Sequence, residues 1–256
     1  MNPSKRIVLL AGNGPSTRIV YHALKSEFEI AAVILEKPVS RIRFIRNRIK
    51  KLGLWKVTGQ ILFQFIIVPY LVLVSGKRKR SILAQYKLTD SPIPSEKIIP
   101  VISVNNDQCR EQLIRLNPYL VVVNGTRIIS KKTLNCLPVY FINMHAGITP
   151  TYRGVHGAYW ALAKKDLQHC GVTIHLVDPG IDTGDILFQE TISPQPQDNF
   201  VTYPLLQLAI GIPLMKKAIN NLLTNKILII KGPEQSILWY HPTFRQYIRQ
   251  RIKGIK

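Results

Sequence analysis

Short apolar runs separated by turn residues make the first pattern along the chain. Residues 6–11 (RIVLLA) read as a buried strand, GNGPST turns the chain, and residues 18–25 have helical spacing. Residues 30–35 (IAAVIL) read as a second buried strand, so the opening predicts a βαβ unit and a parallel sheet covered by helices. Farther on, the pattern predicts a strand over 97–104, an amphipathic helix over Asp107–Leu116, and strands over 119–124 and 139–144. A helix follows over 157–165, and residues 171–177 (GVTIHLV) alternate as a half-exposed strand does. Tyr203–Leu223 reads as a long helix despite Pro213, and 226–230 as a last strand-like run. The expected fold class is α/β, an open and mostly parallel twisted sheet. Residues 1–200 would form the main domain, and 201–256 a helix and short extension with no domain of their own.

A segment of another kind interrupts this pattern at about 37–88. Ile42, Ile45, Ile49 and Leu52 fall on one helical face, with Arg43, Arg46, Lys50 and Lys51 opposite or beside it. Residues 61–74 are almost wholly apolar, broken by Gln64 and Pro69, and are followed by the basic run 77–80 (KRKR). About 20 apolar residues are needed to span a bilayer, so this run is short for a transmembrane helix. The charge changes the picture most. The chain carries 35 Lys+Arg against 14 Asp+Glu, a formal +21, and residues 37–80 alone hold twelve of the basic residues and no acidic one. Three readings of the insert stand open: a helical hairpin on the sheet edge with a solvated basic face, contact with an anionic membrane surface, and polyanion binding.

With 46% apolar residues the chain can bury a core, which excludes disorder as its main state. Three cysteines without a CxxC pair argue against a disulfide scaffold and for a reducing compartment. The first apolar run, six residues long, is short for a signal peptide. The expected location is cytoplasmic, with peripheral attachment at the inner membrane surface as the alternative the insert raises.

The densest polar cluster is 141–154 (FINMHAGITPTYRG), with Asp182 following in DPGIDTGD. Asn143 and His145 are two residues apart near a strand end and can point the same way. A carboxylate beside an imidazole holds it protonated, and an amide adds a neutral donor. Two such donors aimed at one point stabilise the oxyanion of a carbonyl under attack, and the carboxylate can accept a proton from an attacking amine. That set suits acyl transfer in which the substrate brings its own nucleophile. Other chemistries fit less well. Thr17 stands where the dinucleotide fingerprint needs its third glycine, there is no G-x-S-x-G elbow, and His156, His169 and Cys170 match no common zinc spacing, so no metal is expected.

The combination N-x-H-(x4)-P-x-Y-R-G, then G-V-T-x-H and D-x-G, resembles the 10-formyltetrahydrofolate-dependent formyltransferases, over about residues 118–189 and more loosely back to residue 6. The resemblance implies a Rossmann-like formyltransferase domain with 10-formyltetrahydrofolate as formyl donor. It implies that Asn143 and His145 polarise the formyl group and that Asp182 pairs with His145 and manages the amine proton. It assigns the folate pocket to Val123, Gly125, Arg127 and Ile128, closed by a loop containing Asp178, and offers Gly14, Ser16, Arg153 and His175 as contacts to the acceptor. Arg153 could equally hold its own loop. Gly147-Ile148-Thr149 replaces the family's usual Ser-Leu-Leu before Pro150, and Pro15 has no N–H to give a substrate phosphate, which argues against a glycinamide ribonucleotide acceptor. About thirty residues after the long helix are too few for the C-terminal barrel of the tRNA enzymes. The expectation is therefore an amine acceptor of the amino-sugar kind, nucleotide- or lipid-linked, with methionyl-tRNA as the second reading. A membrane or partner adaptor with a relic site is the non-enzymatic alternative.

Overall fold

The computed structural model describes residues 5–232 and 235–256, Arg43 without its side chain. Among the described residues nine strands run in chain order: β1 (Ile7–Gly12), β2 (Ile30–Glu36), β3 (Ile98–Val101), β4 (Leu120–Asn124), β5 (Tyr140–His145), β6 (Arg153–Gly154), β7 (Gly171–Leu176), β8 (Ile186–Thr191) and β9 (Leu238–Trp239). Seven of them form one sheet in the order β3-β2-β1-β4-β5-β7-β8. The pairs from β3 to β5 are parallel, and β7 and β8 continue the sheet antiparallel. The expected open, mostly parallel α/β sheet is therefore what the chain builds.

Alternation along β1 explains how the sheet is covered. Ile7, Leu9 and Ala11 face one core with the helices Pro15–Leu24 and Tyr203–Leu223, while Val8 and Leu10 face another with the helix Asp107–Leu116. Each fully buried aliphatic side chain contributes roughly 1.5–3 kcal/mol. The helix Asp107–Leu116 starts where Asn106 accepts a hydrogen bond from the Cys109 N–H and stops at Asn117 in the left-handed region, as its sequence signals require.

Three sequence expectations need correction. Residues 226–230 form no strand; Ile230 makes one isolated bridge to Ile186, and the edge strand is instead β8, whose run ILFQET is buried at its apolar start and exposed at its polar end. The apolar run of the insert belongs to a helix that begins seven residues earlier and extends over Leu54–Val74, 21 residues, long and apolar enough by length and composition to cross a membrane. A π-helical turn at Phe63–Ile67 precedes Pro69 and absorbs the backbone bond the proline removes. Finally, the insert does not rest on the sheet edge as a hairpin. Phe63, Leu71 and Ile82 join a second core with Tyr159, Trp160, Phe200, Tyr203 and Tyr247, so the insert packs against the C-terminal helix Phe244–Ile252 and the helix Gly157–Ala163.

Candidate active site

The sheet order reverses at β1, which places a crevice outside the C-terminal ends of β1 and β4 and beside β5. Asn143 and His145 end β5, and across the antiparallel pair Asn143 faces His175 while His145 faces Thr173. The antiparallel pairing of β7 with β5 is what brings His175 in. Asp182 returns to the same place from the loop after β7, with its backbone in the left-handed region at φ 51°. That loop is tight: a Cβ on Gly184 would run into the Leu176 carbonyl oxygen.

His145 Nε2 lies 2.8 Å from the Tyr152 carbonyl and its Nδ1 lies 3.3 Å from Asp182 Oδ2. Both neighbours can only accept, so the ring satisfies them fully as an imidazolium. Burial pulls the His145 pKa down, but the Asp182 carboxylate and the Tyr152 carbonyl outweigh it and leave it above the usual histidine value. Burial pushes Asp182 up, yet His145 beside it and a hydrogen bond from the Gly154 N–H (3.0 Å) draw it down to about 2. His175 is the opposite case. Its burial, then the positive charge of His145 with ring centroids 6.5 Å apart, lower its pKa and keep it neutral. Its Nδ1–H donates to the Leu176 carbonyl (2.7 Å), which leaves the Nε2 lone pair to accept from the Asn143 amide (3.1 Å), with Asp182 Oδ1 3.7 Å away. One spot thus holds an amide, a charged imidazole, a neutral imidazole and a carboxylate, with Asn143 and Asp182 partly open to solvent.

The sequence expected the N–H groups of Asn143 and His145 to aim at one point. Here both His145 nitrogens are engaged by the protein, so its charge reaches the crevice through space, and the open polar edge belongs to Asn143, His175 and Asp182. Two residues that carried no expectation set this up. Gly147 allows the His145–Tyr152 bond, because a Cβ there would meet the Tyr152 carbonyl and sit 2.8 Å from His145 Nε2. Thr173, fully buried, donates to the Gly147 carbonyl (2.8 Å) and accepts from the Thr149 N–H (3.0 Å), locking the loop after His145. The T of G-V-T-x-H was the signal that could have found it.

The other predicted residues fall differently. Arg127 is occupied: its backbone N–H and Nε donate to Glu36 (2.6 Å each) and Nη2 to the Lys37 carbonyl, so it anchors the loop after β4 rather than offering its charge to a pocket. Asp178 accepts from Thr183 Oγ1 (2.8 Å) and the Gly180 N–H, bracing its own loop, and Val123 is buried in the sheet. Gly125 stands at φ 66° with open space where a Cβ would point, and the Ile128 side chain is exposed, its carbonyl accepting from the Asn105 amide (2.9 Å). Gly14 caps the helix Pro15–Leu24 without a side-chain bond, and Ser16 accepts from Asn124 (3.2 Å). Arg153 donates to the Ile181 carbonyl (3.0 Å), which makes it a clasp on the Asp182 loop. Among the described residues no group of three or more His, Cys, Asp or Glu is placed to hold a metal ion.

The sequence model described as formyl transferase matches residues 74–204, just over half of the chain. The chain belongs to the formyl transferase family. Similar curated proteins are methionyl-tRNA formyltransferases, that of Caldanaerobacter subterraneus at 29% identity over 59% of this chain and 53% of that protein, and that of Desulfotalea psychrophila at 38% over 44% and 36%. The chain thus spans about half or less of the length of these relatives. Solved structures of the same fold include a sugar N-formyltransferase from a Shewanella species, at 15% identity, TM-score 0.57 and coverage of 91% of this chain and 76% of that chain. A glycinamide ribonucleotide transformylase from Symbiobacterium toebii has 17% identity, TM-score 0.57 and coverage of 93% and 96%. A sugar 3N-formyl transferase solved with dTDP and 5-N-formyl-THF has 16% identity and TM-score 0.53, covering 93% and 70%.

Proposed function

We propose that this formyl transferase moves a formyl group from 10-formyltetrahydrofolate to a primary amine on an amino sugar, linked to a nucleotide or a lipid. The folate supplies a formyl amide whose carbon is open to attack by an amine. The carrying observation is the convergence of Asn143, His145, His175 and Asp182 at the β5 end, in charge states suited to that attack. Asn143 has an amide N–H to turn from His175 toward a developing oxyanion, and the buried charge of His145 stabilises the same oxyanion at short range. Attack makes the amine nitrogen cationic, and its proton must leave. Asp182, drawn down to about 2, is a weak base, so neutral His175, whose Nε2 lone pair is released as Asn143 turns away, is the first acceptor and Asp182 stabilises the resulting pair. The proton is then free to return to the departing folate nitrogen, which closes the balance.

An amino-sugar acceptor is supported by the turn before Pro15–Leu24. Pro15 there has no N–H and Ser16 is turned to Asn124, so the turn is poorly built to hold a ribonucleotide phosphate. The similarity to methionyl-tRNA formyltransferases keeps charged initiator tRNA as the second reading, and an adaptor that has lost catalysis as the third. Purified protein with 10-formyltetrahydrofolate, assayed for tetrahydrofolate release against a panel of amino-sugar nucleotides and charged tRNA, separates the three. Turnover with an amino sugar that disappears in His145→Ala supports the first. Turnover with tRNA alone moves the acceptor, and a protein that neither binds nor consumes the folate sinks the enzyme.

A further inference from the structure

The helix Leu54–Val74 is apolar on two faces, and the protein uses one. Val57, Gln60, Phe63 and Leu71 point inward and are buried, whereas Trp55 (89% exposed), Leu62, Phe65 (72%), Ile66 and Leu73 (81%) form an uncovered outer ridge. An exposed apolar strip of this length marks a contact surface. Its flanks are basic, with Arg78 already spent on the buried carboxylate of Asp198 (2.8 Å). Lys50 and Lys51 stand before one end and the run 77–80 after the other, within a segment carrying twelve Lys/Arg and no acid. At the second end a cleft of about 450 Å³ runs from Tyr70 and Val74 to Lys77 and Arg251, neither of which makes an ion pair among the described residues.

The inner face decides how such a helix can meet lipid. Gln60 Nε2 donates to the His241 carbonyl (2.6 Å), Gln64 is 2.8 Å from His241 Nδ1, and Phe63 packs edge-on against Phe200 and beside Tyr247. Crossing a bilayer would strip all of these, so the helix has one face for the protein and one for a surface. We propose that this outer ridge docks the protein flat on an anionic lipid bilayer, with its apolar side chains among the acyl chains and the cleft at Lys77 and Arg251 taking a phosphodiester headgroup. A second copy of the chain would bring the same cations against the ridge, and a polynucleotide would satisfy the charges while leaving the apolar side chains in water. An anionic membrane complements both.

This docking does not depend on the reaction proposed above, and its test needs neither donor nor acceptor. The full chain is sedimented with vesicles of phosphatidylcholine alone or mixed with phosphatidylglycerol. Expected is partition at least ~10-fold stronger on the anionic vesicles, weakened as salt shortens the Debye length from about 10 Å toward 3 Å, with a blue shift of Trp55 emission. Trp55→Ser/Phe65→Ser/Leu73→Ser should lose at least ~10-fold of that partition with no fall in melting temperature, since these side chains touch no core. Lys77→Glu/Arg251→Glu should weaken binding to anionic vesicles and leave the weak binding to phosphatidylcholine unchanged. Protein that stays in the supernatant, binds both lipids alike at every salt, or pellets unchanged as the triple variant overturns the proposal. So does a dimer that shields Trp55 in the absence of lipid.

Discussion

His145 has two acceptors and no donor around its ring, and that arrangement fixes its charge. The sign of its pH dependence follows. A histidine raised above 6.5 contributes stability that is complete below 6.5 and lost as pH rises through its folded value; Asp182, lowered from 3.8 to about 2, contributes stability complete above 3.8 and lost as pH falls toward 2. The pair is therefore fully favourable between those limits. Asp182→Asn removes the charge that retains the proton, so the basic limb of a kcat/KM profile should move to lower pH by about a unit or more and turnover should fall ~100-fold. An unmoved limb in a folded variant means Asp182 does not hold the His145 proton. Asn143→Ala should also cost ~100-fold, in kcat more than in KM, as expected for an oxyanion donor. Gly147→Ala should do comparable harm without touching a reacting group, because its methyl would separate His145 Nε2 from the Tyr152 carbonyl. Wild-type activity in that variant would show the bond to be dispensable.

Among the elements, the C-terminal segment does more than extend the chain. β9 pairs with β6, Trp239 Nε1 donates to the Thr151 carbonyl (3.0 Å), and the Trp239 ring stacks between Tyr152 and Trp160, so residues near the end of the chain clamp the loop that carries the Tyr152 carbonyl and the Gly154 N–H. Trp239→Ala is expected to cost about 2 kcal/mol in denaturant unfolding and to lower activity with it. The insert is held by a buried neutral histidine pair, His156 and His241, 2.9 Å apart at the ring nitrogens. Burial lowers both, His241 to about 4, and Arg48 nearby adds to this. Depressed basic groups contribute stability that is complete above 6.5 and lost as pH falls, for His241 by roughly 3 kcal/mol between 6.5 and 4. Amide exchange over 57–71 should therefore accelerate across that interval, and less so in His241→Gln. Exchange independent of pH after correction for its intrinsic rate would remove the pair from the insert's docking.

For the molecule as a whole, the second core ties together parts that the sequence left as separate units. Phe63, Leu71 and Ile82 of the insert share it with Tyr159, Phe200 and Tyr247, so excision of 37–88 should expose that core and cost folding itself, read as aggregation or a lost unfolding transition. A monomeric, cooperatively folding deletion would contradict this. The sequence alone determined the βαβ opening and the helices Asp107–Leu116 and Tyr203–Leu223, because these rest on local periodicity and capping, and its motifs singled out Asn143, His145 and Asp182 as the candidates that the fold brings together. Only the tertiary structure decided that Arg127 is consumed by Glu36, that His175 stands neutral across from Asn143, that Thr173 locks the loop, and that Trp239 closes it from the far end of the chain. Each of those depends on which strand neighbours which and in what direction. That is set by burial summed over the whole sheet, and no short stretch of sequence carries it.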